Sequence, residues 1–316
     1  MKLEIKKFDK EILKNIKKLY VYDNWHGLMA LTYDYFVIVI AIVLCEMSYY
    51  FFPITLLLIG SRQRALATVL HEASHSSLTK NKKFGKILGT YFSGYLIFQS
   101  WDSYYKSHVK YHHPQLGQDT DPDFQYYKES GVYNACSKKR FYWNYFWSYM
   151  LCLHSFYSLK YLIQNRLLSA PNKKEVMLII FSQMILFIIL TYLTNIYGYI
   201  LYWLLPYLTT FQIFTWFIEL SEHYPMVSQY NRNLECSRNR FSNPLEHFFT
   251  AIHAENFHLI HHLFPAIPYW QLGAAHKILM QDNDYAKVNQ NFGGIFFSYK
   301  NRPAMWKDLW EKVHNA

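Results

Sequence analysis

The chain has 316 residues and is 52% hydrophobic and 20% aromatic, with only 17% charged residues, against roughly a quarter in ordinary soluble domains. Its mean hydropathy of −0.10 excludes a chain surrounded by lipid on all sides. A formal net charge of +10 fits membrane topology, with Lys and Arg gathered on the cytoplasmic side, or docking of an anionic surface, carrier or electron donor; no basic helix or motif points to nucleic acid.

Seven lysines open the chain, Lys2, Lys6, Lys7, Lys10, Lys14, Lys17 and Lys18, with no apolar run directly after them. This predicts a solvated amphipathic helix and not a cleavable signal peptide. Leu3, Phe8, Ile12, Ile16 and Leu19 share one face of it, suited to lying on a membrane surface. Apolar runs then come in two pairs, 28–47 with 51–69, and 176–194 with 196–220. A membrane crossing takes roughly 20 helical residues, so each pair reads as a transmembrane hairpin. Seven Lys lie before residue 29, sixteen Lys or Arg between 60 and 175, nine after 220, and none at the two hairpin tips. By the positive-inside rule both termini and the middle segment are cytoplasmic. The expected fold is all-α: four transmembrane helices and a cytoplasmic helical cap, 70–175 and 221–316, in one domain over 1–316.

Arg62 and Arg64 interrupt the second run. Charge at that depth faces the protein interior, either paired with an acid such as Asp34 or Glu46 or, for Arg64, lining a site with His71 seven residues on. The segments 84–98 and 141–163 are apolar or aromatic enough to lie along the membrane or to form buried helices. Cys45, Cys136, Cys152 and Cys236 lack C-x-x-C spacing and read as reduced packing residues.

Nine of the 15 histidines fall in three clusters and one outlier: His71 and His75; His108, His112 and His113; His258, His261 and His262; and His223. Residues three or four apart share a helix face, so each cluster can present two or three imidazoles to a common point. Imidazole suits Fe, Zn, Cu and Ni, and two ions with four or five nitrogens each would use all nine. His71-Glu72-Ala73-Ser74-His75 also fits the H-E-x-x-H signature of zinc proteases, but a protease needs one further ligand and leaves six clustered histidines without a role. A metal transporter would place its ligands within several spans, whereas here they cap the spans on one side.

The arrangement H-x3-H, H-x3-H-H and H-x2-H-H around two pairs of spans resembles the integral membrane fatty acid desaturases. So do Asp119-Thr120-Asp121-Pro122-Asp123, Glu222-His223 and Leu263-Phe264-Pro265-Ala266-Ile267-Pro268. The resemblance covers roughly residues 30–280, and Asn256 through Pro268 is most similar to the bacterial branch. It implies a non-haem di-iron centre ligated by His71, His75, His108, His112, His113, His223, His258, His261 and His262, with O2 as co-substrate and a fatty acyl chain (acyl lipid, acyl-CoA or acyl carrier protein) as substrate. It implies a multi-pass protein whose active site is cytoplasmic, in a bacterial inner membrane. A hydroxylase or acetylenase on a lipid-like substrate shares these ligands. In the acyl-CoA branch an asparagine four residues before the isolated histidine helps hold an iron-bound water; here that position is Glu219, with Asn256 the rival for the role. Metal-bound histidines give their other N–H to a carboxylate or carbonyl, and Glu72, Asp123 and Glu222 are the first candidates. His26, His154, His247, His253, His276 and His314 remain as non-ligands. Neither the His-Pro-Gly-Gly run of a fused cytochrome b5 nor a flavin or nicotinamide fingerprint occurs, which implies an external donor of ferredoxin, rubredoxin or cytochrome b5 type.

Overall fold

From His26 to Met47 the sequence runs without proline or a turn residue and forms one 22-residue helix with mean hydropathy 2.3 over its most apolar window. Lys173–Leu193 does the same over 21 residues at 2.5, its start capped by Asn172, which accepts the Lys174 amide at 2.9 Å. Both are long and apolar enough to cross a membrane. Phe36, Val39 and Val43 on the first and Ile180, Phe181 and Ile188 on the second are over half exposed, the surface a helix presents when lipid is its solvent.

The computed structural model describes residues 3–134, 136–168, 172–289 and 292–312, so His314 lies outside the described residues. Among these the protein is helical, with isolated bridges (Glu4 to Arg232, Tyr299 to Arg302) in place of strands. It divides into two compact units: Asp23–Val109 with Tyr149–Trp216, which carries the long apolar helices, and the described residues of Met1–Tyr22, Lys110–Ser148 and Phe217–Ala316.

In the span-bearing unit, His26–Met47 folds back through a tight turn at Tyr49–Phe51 onto the helix Phe52–Ser74. That helix departs from a simple apolar span. It continues to the first histidine pair, and residues 59–70 are buried throughout because Arg62, Gln63 and Arg64 need protein around them. Arg62 Nη1 donates to Asp34 at 3.3 Å and its Nη2 donates to Ser61 at 2.7 Å, so the pairing of Arg62 with Asp34 is found. Glu46 instead accepts from the Tyr202 hydroxyl. Polar contacts join this helix to its neighbours, where water is unavailable to compete: Thr55 donates to the Ala41 carbonyl at 3.0 Å, Gln63 to Trp203 O at 2.9 Å, and Thr210 to Leu56 O at 2.6 Å. At Gly60 a Cβ would lie 2.0 Å from Thr210 Oγ1, so only glycine permits that approach.

The fourth apolar run is not one helix. It is a π-helical turn Ile200–Leu204, a short helix Leu205–Leu208, and Thr210–His223. Pro206 accounts for the break, since it withholds a backbone donor.

In the other unit the N-terminal helix Lys10–Lys17 turns its apolar face inward. Ile12 and Ile16 are 7% and 1% exposed and join a core with Leu234, Leu259, Ile260 and Tyr285, against which Phe8 and Leu19 also pack. Of the expected face, only Ile12 and Ile16 lie on the helix, Phe8 and Leu19 flank it on the same core, and Leu3 packs elsewhere, with Leu116, Val227 and Cys236; protein covers these residues and not a membrane surface.

Removing one partner of the buried Arg62–Asp34 pair strands a charge at a cost of about 3–5 kcal/mol. We expect Arg62→Met to lower the thermal midpoint in detergent, and Arg62→Met with Asp34→Leu to recover most of the loss. An unchanged midpoint in the single variant would show that the pair is not buried.

Candidate metal centre

Two sets of histidines are built separately in the two units. In the span-bearing unit, the Phe52–Ser74 helix carries His71 in its last turn, with His75 at its C-cap, one turn on. Their ring centroids are 4.9 Å apart, and His108 lies 4.7 Å from His71 and 5.4 Å from His75. Glu72, 3% exposed, accepts from His71 Nδ1 at 3.2 Å and from the Ser77 hydroxyl at 2.8 Å. His108 comes from a π-helical stretch, Tyr105–His112, and stacks on Tyr104 at 5.3 Å. Upstream, the buried Glu175 accepts from the Ser100 hydroxyl at 2.7 Å and the Trp101 amide at 2.6 Å, fixing where that helix begins.

The second unit gathers His112, His223, His258 and His262, whose ligand atoms all lie within 4.8 Å of one another. His258 Nε2 is 2.9 Å from His223 Nε2 and 3.0 Å from His262 Nε2. The outer nitrogens are bound to acceptors. His112 Nδ1 donates to Asp121 at 3.0 Å, with Asp123 at 3.5 Å; His223 Nδ1 donates to the Cys236 carbonyl at 3.0 Å; His258 Nδ1 faces Glu222 at 3.4 Å. An acceptor at Nδ1 keeps the proton there and leaves the Nε2 lone pair free. His112, His223 and His258 thus aim lone pairs inward, and at 2.9 Å those of His223 and His258 repel, an arrangement that a cation between them relieves. The donor set fits a transition metal of the kind imidazole prefers.

Electrostatics agree. Burial, then the neighbouring His112, lowers His223 to about 3. Burial and four surrounding imidazoles hold His262 well below its usual range. Both are neutral at physiological pH, the form that ligates metal. Burial opposes ionisation of Asp121, yet His112 and the Gly117 amide outweigh it and hold its carboxyl below the usual range.

Adjacent histidines part company. On a helix, consecutive residues point about 100° apart. His258 and His262 therefore turn to His223 and His112, whereas His261 turns to His113, Nε2 to Nε2 at 3.1 Å. The third cluster thus presents two imidazoles, His258 and His262, to a common point, as expected, and its remaining member, His261, to another partner. The closest carboxylate to His112 is Asp121 and not Asp123. Asp121 also caps the helix Pro122–Ser130 by accepting the Asp123 amide, and cap geometry decides which of neighbouring acids faces inward. Glu72 and Glu222 stand where expected. Glu219 is outside the converging groups among the described residues; its charge bears on Tyr127. Asn256 is 4% exposed and donates to the Arg240 carbonyl at 3.0 Å, while its Oδ1 has no hydrogen-bond partner among the described residues, leaving an acceptor for a water or ligand. His26 is tied to Asp23 at 2.6 Å, away from either set. Sequence reasoning missed the Cys236 carbonyl, Arg240 beside Glu222 at 3.5 Å, and Asn239, which accepts the Leu259 amide at 3.1 Å and so holds the helix of the third cluster.

A converging set of histidines, oriented by carboxylates and a carbonyl and with His223 and His262 held neutral, defines the class: a protein with a histidine site able to hold a metal ion. The comparisons make it particular. The model of the fatty acid desaturase family matches residues 47–293. The chain is 37% identical over 304 residues, 93% of its own length and 86% of the relative's, to the dihydrorhizobitoxine desaturase of Bradyrhizobium elkanii. The chain belongs to the fatty acid desaturase family, and is a desaturase-type oxidoreductase.

The lowered histidines give metal-free protein a signed pH dependence. Between their unfolded value of about 6.5 and their folded values the unfolded chain binds more protons, so stability falls as pH is lowered from about 6.5 towards 3. Thermal unfolding of chelator-treated protein at pH 7.5, 6 and 5 should show a falling midpoint. Substituting His223 by Gln should flatten that fall, and a slope unchanged by this substitution would contradict the assignment.

Proposed function

We propose that this chain is an O2-dependent membrane di-iron desaturase that introduces a double bond into a fatty acyl chain carried as acyl lipid, acyl-CoA or acyl carrier protein. The observation that carries the reading is the converging quartet His112, His223, His258 and His262, three of whose rings turn their outer nitrogens to acceptors, in a chain of this family. These four would hold one iron. The other five histidines of the sequence pattern, His71, His75 and His108 in one unit and His113 and His261 in the other, are proposed as iron ligands on the strength of that pattern.

Bound iron would supply the oxidising power needed to break an unactivated C–H bond. The net change is loss of two hydrogens from adjacent methylenes, with O2, two electrons and two protons leaving as two waters. The electrons come from an external donor of ferredoxin, rubredoxin or cytochrome b5 type. The protein's part is orientation and exclusion of water. Asp121, Glu222 and the Cys236 carbonyl fix the tautomer and tilt of three imidazoles. Arg240, itself bound to the Thr250 carbonyl at 3.1 Å, balances Glu222. Asn256 Oδ1 offers an acceptor for a water. The exposed apolar faces of His26–Met47 and Lys173–Leu193 support membrane insertion. We further propose four crossings, the other two being residues 52–69 of the Phe52–Ser74 helix and the broken segment 200–220, with the histidine sets on the cytoplasmic side, in keeping with the charge distribution.

A second reading concerns substrate alone. The relative's name makes dihydrorhizobitoxine the molecule which that enzyme desaturates, and 37% identity over nearly the whole chain favours a substrate of that kind here. Reconstituted protein with a reducing system, given acyl substrates or dihydrorhizobitoxine in parallel, separates the readings by mass spectrometry. A product two mass units lighter identifies the substrate; a product 16 units heavier would overturn desaturation in favour of hydroxylation.

Purified protein should contain about two irons per chain and little zinc. His258→Ala should lower bound iron and abolish turnover, while His26→Ala should retain both. One zinc per chain, with activity lost in Glu72→Gln, would replace this reading with a protease.

A further inference from the structure

Beside the quartet but outside it, the second unit contains a cavity of about 750 Å³. Its wall includes the guanidinium of Arg238, which is 2% exposed. A cation this deep is ordinarily paired with a carboxylate. Arg238 instead donates from Nη2 to the Tyr224 carbonyl and lies over the ring of Phe292 at 4.2 Å. Its Nε has no hydrogen-bond partner among the described residues. Burial draws its basicity down to about 10, with Asp308 opposing, so the group stays charged at physiological pH. The rim basic group Arg232 is already engaged, at 3.8 Å from Glu235 and 3.7 Å from Asp284. The remaining wall carries the carboxylates Glu235, Asp284 and Asp308 and the cation Lys287, and an apolar stretch of Met226, Leu234, Val288, Phe292 and Leu309; Glu235 and Asp284 lie against Arg232.

We propose that this cavity is a binding site for a small amphipathic anion, one carboxylate or phosphate group seated on Arg238 with its apolar body against Phe292, Val288 and Leu309. A guanidinium presents a planar fork of donors suited to either group, and such a site holds a ligand by one fixed polar contact within an apolar enclosure. The site is built into the frame of the metal quartet. Tyr224, whose carbonyl Arg238 engages, follows His223 directly, and Cys236, whose carbonyl orients His223, lies two residues before Arg238. The Arg238 amide donates to the Glu222 carbonyl at 3.1 Å. An anion that orders Arg238 therefore stiffens the segment that sets the tilt of His223, as an effector would. The proposal does not depend on the substrate of the metal centre, and binding is read without turnover.

The experiment uses full-length, iron-loaded protein in detergent, titrated calorimetrically with hexanoate, hexyl phosphate, inorganic phosphate and acetate. Hexanoate or hexyl phosphate should bind with one-to-one stoichiometry, and which of the two binds more tightly identifies the head group. Acetate and phosphate should bind at least about tenfold more weakly for lack of an apolar body. Arg238→Met should weaken the tighter ligand about tenfold or more. Because Arg238→Met removes a buried contact and could unfold the unit, Val288→Trp serves as a second variant: it fills the cavity from its half-buried rim and leaves Arg238 in place, so it should abolish binding with iron content unchanged. The iron's electronic absorption should shift on ligand addition in wild type and not in Val288→Trp. Absence of saturable binding by all four anions to wild type, or binding undiminished by Val288→Trp, would overturn the proposal.

Discussion

The structure turns on one repulsion. In the second unit His223, His258 and His262 bring Nε2 atoms to 2.9 and 3.0 Å, and acceptors fix the outer nitrogens of His223 and His258 so that the inner lone pairs cannot be turned aside. Left unmade, each such buried polar contact costs about 1–3 kcal/mol. A fold that tolerates several of them at one point has been selected for what sits among them. Burial serves the same end. It removes the option of protonating the imidazoles, which would otherwise dissipate the repulsion by making hydrogen bonds or by pushing the rings apart.

The surrounding construction follows from keeping those rings still. Asp121 is at once a helix cap and the acceptor for His112, so the carboxylate cannot swing without uncapping Pro122–Ser130. Glu222 precedes His223 in sequence yet serves His258, thirty-six positions on. The third cluster is held from behind by an apolar core in which Leu259 and Ile260 are fully buried. Their neighbours His258 and His261 are turned by the helix towards different partners. In the span-bearing unit the same economy recurs with Glu72, which restrains His71 while accepting from Ser77.

Much of this was legible in the sequence, and the limits have physical causes. Histidine spacing identified the converging residues because imidazoles at i, i+4 share a helix face; hydropathy found His26–Met47 and Lys173–Leu193 because length and composition make a helix able to cross a membrane. Asp34 was readable as a partner for Arg62 since a charge within an apolar run has few other options. Asp121 was not distinguishable from Asp123, because the choice depends on backbone angles at a cap. The Cys236 carbonyl has no sequence signature at all, as every residue carries one. The interruption near Thr209 was foreshadowed by Pro206, but the apolar run hid it. The inward turn of the N-terminal helix was invisible, since an amphipathic face reads alike whether protein or lipid covers it.

The residues that hold the quartet together contain no ligand. From Cys236 to Phe241 a short extended segment supplies the Cys236 carbonyl to His223, the Arg238 amide to the Glu222 carbonyl, Asn239 to the amide of Leu259, and the Arg240 amide to the Asn256 carbonyl at 2.8 Å. Arg240 then bridges to Glu222, and Asn256 returns a bond to the Arg240 carbonyl. Asn239 extends the frame to Tyr285 and Asn289 at 2.8 and 2.6 Å. His223 and the His258–Leu263 helix come from distant parts of the chain, and this segment is bonded to both. Its geometry therefore sets the distance between their nitrogens more directly than any contact the histidines make themselves. A histidine site assembled this way can be tuned by substitutions that never touch an imidazole, because the partners that orient the rings set their geometry.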